Sequence, residues 1–174
     1  VALNLEEATI TKGLWMQFAD GAPELYSLIP KEVIRTGAIS AKGDMKIEGK
    51  QANINLQACT DAGDLVAHFN LDNKGQYTAT INGDSLNVKQ IIPTSPLVST
   101  NLALQATGKW EQSQWTTNNI KDSLSANVKA TLTQTHLLDY KYENIALDGH
   151  YTPKDYNANL TLTDPNGNLS LRAA

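Results

Sequence analysis

Cysteine is almost absent: Cys59 stands alone, so no disulfide can form within the chain. At the end of an alternating run it reads as a small apolar filler rather than a reactive thiol. Bulky aromatics are scarce as well. Two Phe and three Trp in 174 residues leave few of the side chains that usually fill a closed globular core. Charged residues make up only 18%, and a net charge of −4 with a pI near 5.3 offers no basic footprint for a phosphate backbone. Nucleic acid is therefore not expected as a partner. No stretch reaches the roughly 18 consecutive apolar residues of a membrane helix, and no charged start with an apolar core opens the chain.

Catalytic motifs are missing too. There is no G-x-S-x-G elbow, no phosphate-binding glycine loop and no G-x-G-x-x-G. His68, His136 and His150 lie far apart without a partner at metal-ligand spacing, so neither a metal site nor a cofactor is expected. Asp61 and Asp64 form the nearest approach to an acid pair, but both fall at a hairpin turn, where turn chemistry accounts for them. The chain reads as a protein that is not an enzyme.

What is present is alternation. Ile54, Leu56 and Ala58 alternate with Asn53, Asn55 and Gln57, and Leu65, Ala67, Phe69, Leu71 and then Tyr77, Ala79, Ile81 repeat the pattern across Asp/Asn/Gly turns. Leu102 and Leu104, Val128 and Leu132, and Leu160 and Leu162 continue it. Period two with short turns predicts an antiparallel meander with one apolar and one polar face. Two breaks punctuate it. Residues 20–30, with Pro23, an early Glu24 and apolar Leu25, Leu28 and Ile29, predict a short helix ending before Pro30, and 84–92 a weaker one. The less periodic stretch 110–121 reads as a strand end and loop.

The chain also echoes itself. Gly13, Trp15, Asp20-Gly21 and Ile29-Pro30 recur as Gly75, Tyr77, Asn82-Gly83 and Ile92-Pro93, at offsets of 62, 62, 62 and 63. A fixed period implies stacked units that cannot bury their apolar faces alone. One β-rich repeat domain over 1–174 is expected, with approximate repeats 13–74 and 75–170, beginning and ending in mid-pattern like a piece of a longer chain. Pattern alone favours a plain two-sheet sandwich. The sharper alternative is a curved sheet whose apolar concave face stays open to an aliphatic ligand.

Two phrases sharpen the reading. Tyr140-x-Tyr142-x-Asn144-x-x-Leu147-x-Gly149 and Asp164-Pro165-Asn166, within 140–173, together with 86–110, resemble the repeats of TamB in the AsmA-like group of bacterial envelope proteins, in their Bacteroidetes form. The resemblance implies an all-β fold: a mostly antiparallel curved sheet, a half-pipe or β-taco of repeated meanders, with one or two short helices. It implies a periplasmic location in a full-length protein anchored to the inner membrane. It further implies a hydrophobic groove for phospholipid transfer and outer-membrane biogenesis, and an outer-membrane barrel of the Omp85 type as partner, met through parts of the chain not present here. The expected groove residues are Ile54, Leu56, Leu65, Ala67, Phe69, Leu71, Tyr77, Ala79, Ile81, Leu102, Leu104, Val128, Leu132, Leu160 and Leu162, with phospholipid or another acyl chain as ligand. Alternatives are a non-transporting scaffold for barrel assembly through exposed strand edges, and an extracellular carbohydrate-binding β-sandwich. Strands at 1–10 and 168–172 are expected at sheet edges, giving edge-to-edge self-association that a Pro at Leu5 or Leu169 would weaken.

Overall fold

The structure, a computed structural model, describes residues 1–27, 29–110 and 123–174. Its strands are β1 (Ala2–Ile10), β2 (Ile39–Glu48), β3 (Gln51–Thr60), β4 (Gly63–Leu71), β5 (Gln76–Asn87), β6 (Leu97–Trp110), β7 (Leu124–Leu137), β8 (Tyr140–Thr152), β9 (Asp155–Asp164) and β10 (Gly167–Ala173). They form one sheet in sequence order, and every neighbouring pair is antiparallel. The fold is thus an all-β meander in a single open sheet, not the two packed sheets of a sandwich. Among the described residues, β1 pairs only with β2 and β10 only with β9, so these two strands stand at the margins of the sheet.

Turn chemistry sets the register. Gly49, Gly63 and Gly75 take positive φ values of 57°, 117° and 79° where the chain reverses, a conformation that costs other residues more. Before the last of these, Asp72 Oδ1 accepts from the backbone N–H of Lys74 and Gln76, both at 2.8 Å. In β1 the apolar phase slips from Leu3 and Leu5 to Ala8 and Ile10. A bulge at Glu6-Glu7 absorbs the extra residue, since Leu5 pairs with Gly43 and Ala8 with Ala41, and all four apolar residues stay on one face.

Glycine also curls the sheet. A Cβ at Gly43 would stand 2.2 Å from the Asn55 carbonyl oxygen, and one at Gly108 would stand 1.9 Å from that of Ser125. Both positions lie on the apolar face, so the neighbouring backbones close toward that face and make it concave. Tyr77 covers the Gly108 gap: it pairs with Gly108 and reaches over it to donate its hydroxyl to the Ser125 carbonyl at 3.0 Å.

Helices gather at one end of the strands. These are α1 (Lys12–Gly21), α2 (Pro23–Ser27) and α3 (Lys31–Arg35) between β1 and β2, and α4 (Val88–Ile91) between β5 and β6. Trp15, 8% exposed, donates its indole N–H to the Gly37 carbonyl at 2.8 Å. Asp61, in the β3–β4 turn, accepts from the Ala38 N–H at 3.1 Å and pairs with Lys12 at 3.0 Å. Gln90 in α4 donates to the Arg35 carbonyl at 2.9 Å, joining the two helical connections.

Two expectations are corrected here. The echo is not a structural repeat: Gly13 to Gly21 lies in α1, whereas Gly75 to Gly83 turns into β5, so repeats 13–74 and 75–170 do not superimpose element by element. The physical reason is local. Leu14-Trp15-Met16 breaks alternation, while Tyr77, Ala79 and Ile81 keep it. The helical region is also larger than the predicted helix at 20–30, with three helices starting at Lys12. The predicted turn at 84–92 contains α4. The strand expected to end near 110 does so, but the loop expected to 121 lies outside the described residues.

Candidate functional site

Residues directly opposite on paired strands share a face, so the registers can be followed across the whole sheet. One row runs Leu5, Gly43, Leu56, Ala67, Ile81, Leu104, Ala130, Leu147, Leu160, Leu171, with a member from each of the ten strands. A second runs Leu3, Met45, Ile54, Phe69, Ala79, Ala106, Val128, Gly149, Ala158, Ala173. A third runs Ala8, Ala41, Ala58, Leu65, Gly83, Leu102, Leu132, Ile145, Leu162, Leu169. No charged or hydrogen-bonding side chain interrupts these three rows. All the groove residues expected from sequence fall on this one face, Leu71 and Tyr77 in a fourth row toward the strand ends.

The face is not uniformly open. Leu71, 2% exposed, Tyr77 and Ala126 form a buried cluster against Ala52, Phe69, Ala106, Trp110, Leu124, Val128 and Tyr151. Phe69 and Tyr77 stack with ring centroids 6.2 Å apart. Leu71 and Tyr77 therefore close the face at the end away from the helices instead of lining an open groove. The remaining expected residues are half-buried, and Leu56 is exposed. Toward the edges the face opens further: Leu3 is 57% exposed, Leu5 43%, Leu169 48% and Leu171 54%.

Two depressions mark the open parts. One, of about 190 Å³, is lined by Leu3, Leu5, Gly43, Met45, Ile54 and Leu56, together with the paired strand residues Asp44 and Asn55. The other, of about 360 Å³, lies near the β9–β10 turn between Leu162, Leu169, Tyr140, Tyr142, Asp164 and Asn166. There the two phrases singled out in the sequence meet. Tyr140 donates its hydroxyl to Asp164 Oδ1 at 2.8 Å, and Asn166 donates its side-chain amide to the Tyr140 oxygen. Tyr140 and Tyr142 contact edge to face at 4.7 Å. The Asn166 backbone N–H, 3.0 Å from Asp164 Oδ1, and then the Tyr140 hydroxyl hold the Asp164 carboxyl below its ordinary range. The same carboxylate pushes the Tyr140 phenol up.

The opposite face carries the polar ladders. Asn55 bridges strands, donating to Asp44 at 2.9 Å and lying 2.8 Å from His68 Nδ1, and His150 Nδ1 lies 2.8 Å from Asn127. His68 and His150 are thus sheet-surface residues. Among the described residues no three His, Cys, Asp or Glu side chains gather where a metal ion could sit. Asp61 is engaged with the helical connection, its pKa lowered first by the Ala38 N–H and then by Lys12. Cys59 corrects the sequence reading: it is exposed on the polar face opposite Ser40 and Asp64, not an apolar filler. The Asp64 charge, foremost, pushes its thiol up, which lowers its thiolate fraction.

Sequence reasoning missed the outer members of the rows. Leu3, Leu5, Leu169 and Leu171 carry the most open part of the face, with half-buried Met45 and Leu147 farther in, and their alternation was legible; their alignment with the central strands needed the registers. No helix among the described residues is long and apolar enough to cross a membrane. The fold and face define a class: an open, concave antiparallel sheet with one continuous apolar surface. No family model, curated protein or solved structure matches the chain.

Proposed function

We propose that the chain is a segment of an apolar conduit for phospholipid acyl chains, of the TamB/AsmA-like kind its phrases resemble. In this reading it stands in the periplasm within a longer protein anchored to the inner membrane and meeting an outer-membrane barrel. The observation that carries the reading is the set of three apolar rows that run without a polar side chain from β1 to β10 on the concave face.

The mechanism needs no chemistry. Each CH₂ kept from water is worth about 0.8 kcal/mol, so an acyl chain of about sixteen carbons faces a barrier of about 13 kcal/mol to crossing an aqueous gap bare. A trough of Leu, Ile, Val and Ala removes most of that barrier. Because every member of the rows is apolar, no position fixes the chain by a charge or hydrogen bond, and a lipid can slide with its headgroup in water.

The test is lipid retention. Protein purified from a lipid-containing envelope should carry fatty acid or phospholipid in native mass spectrometry, and Leu56→Asp should lose it while keeping a strand-rich circular dichroism spectrum. Leu56 suits the test because it is exposed, whereas Phe69 packs against Tyr77 and its replacement would disturb the fold. Protein that is lipid-free where a known lipid carrier retains its ligand would remove the reading. The outer edges of β1 and β10, unpaired among the described residues, favour a second one, a non-transporting scaffold offering strand edges to barrel proteins; it requires a lipid-free protein that captures unfolded barrel strands.

A further inference from the structure

At the helix end of β9 the apolar face runs into a charge. Asp164 follows Leu162 by two residues on that strand and so shares its face, one step beyond the third row. Tyr140, at the start of β8, donates its hydroxyl to the Asp164 carboxylate at 2.8 Å, and the Tyr142 ring meets the Tyr140 ring at an interplanar angle of 60°. Together with Leu162 and Leu169 these groups line the depression of about 360 Å³. Strands β8 and β9 are each paired on both sides, so the charged part of the site is built inside the sheet.

Asp164 has donors but no counter-charge. It is 8% exposed, and the Tyr140 hydroxyl, the Asn166 side-chain amide and the backbone N–H groups of Asn166 and Glu143 all donate to it. Those donors keep the carboxyl ionised, yet every one of them is neutral. Among the described residues no Lys or Arg pairs with it, and the rest of the lining is Tyr, Leu, Asn and Gly. Lys141 lies between the two tyrosines in sequence, but strand alternation turns it to the other face, where it lines a separate depression with Ser99 and Gln134. A charge so little exposed gains from a cationic partner.

We propose that this depression binds the ammonium group of a lipid headgroup, ethanolamine or choline, against Asp164 and the rings of Tyr140 and Tyr142, with the acyl chain running from Leu162 along the apolar rows. The proposal rests on the conduit reading and names the headgroup class of its cargo. Each part of the site answers to a part of such a ligand. The two rings, set steeply to one another, offer electron-rich faces that attract an ammonium within about 6 Å, and the carboxylate supplies the full negative charge. Leu162 and Leu169 belong to the third row, so a headgroup held here already has its chain on the apolar face. The same carboxylate repels an anionic headgroup. The rows make no such distinction, so this depression is where the trough selects.

The test compares headgroups on one acyl chain. In isothermal titration calorimetry below the critical micelle concentrations, lysophosphatidylethanolamine should bind about tenfold more tightly than lysophosphatidylglycerol of the same chain length. Asp164→Asn, which keeps an oxygen for the Tyr140 and Asn166 donors, should abolish that preference. Asp148→Asn, the same change of charge on the polar face, should leave it intact. Tyr142→Leu should reduce the preference about threefold or more and Tyr142→Phe should retain it, with circular dichroism checking that each variant keeps its strands. Equal affinity for the two lipids, a preference that survives Asp164→Asn or Tyr142→Leu, an equal loss in Asp148→Asn, or free ethanolamine binding as tightly as the lipid would each overturn the proposal. Equal affinity for the two lipids would leave the conduit reading standing, whereas no binding of either lipid would overturn both.

Discussion

At the scale of single residues, the polar groups that matter most are those that fasten turns. Asp164 accepts from the Asn166 backbone and from Tyr140, and its carboxyl is held below the ordinary aspartate range. A carboxyl depressed in the folded state contributes stability that is complete above its unfolded pKa, about 3.9, and is lost as pH falls through the folded value. Replacing it removes that contribution. The difference in urea midpoint between the native chain and Asp164→Asn should be largest near neutral pH and shrink as the pH is lowered through 4 toward 2. A difference that stays constant over this range would mean that the ionised form of Asp164 has no special place in the fold. Cys59 makes the opposite point, since its position between Ser40 and Asp64 leaves it an exposed thiol with a raised pKa.

At the scale of elements, alternation made the strands legible, and the curved sheet that the resemblance implied is the one observed, but the residues that curl it were not legible. Alternation at Leu65 to Leu71 and Tyr77 to Ile81 located β4 and β5 because one face must be apolar and the other wet. It could not tell an open sheet from a sandwich, because both need the same alternation. The deciding residues are glycines: Gly43 and Gly108 sit where any Cβ would strike a backbone oxygen of the next strand, and nothing in their sequence neighbours announces that. Helix α1 was illegible for a related reason. The Gly13 and Trp15 spacing imitates that of Gly75 and Tyr77, yet Trp15 is buried through an indole bond to Gly37, a contact 22 residues away. The Tyr140 and Asp164 phrases were recognised as separate pieces, and only the fold makes them one cluster. The crease itself can be tested. Gly108→Ala should lower stability by about 1–3 kcal/mol in urea unfolding, from overpacking against Ser125. Gly149→Ala, whose nearest new contact is 3.7 Å away, should stay within about 0.5 kcal/mol. Equal effects at the two glycines would mean that curvature is not concentrated at the β6–β7 crease.

At the scale of the whole molecule, the sheet is amphipathic in a single sense. Every strand contributes to the same apolar rows, the packed cluster around Leu71 closes one end, and the helices gather at the other. Between them lie apolar residues that no second sheet covers, since all ten strands belong to one. An uncovered apolar surface of this kind lowers solubility in water, which makes a ligand or a further strand the natural occupant. The most direct measurement is photo-cross-linking with a diazirine-bearing fatty acid, followed by peptide mapping. The account predicts adducts along the rows of the concave face, at Leu5, Leu56, Ile81, Leu104, Leu147 and Leu171, and none at Asn55, His68, Thr80 or Gln105 on the other side. Adducts distributed equally over both faces, or none while a known lipid carrier is labelled under the same conditions, would contradict it.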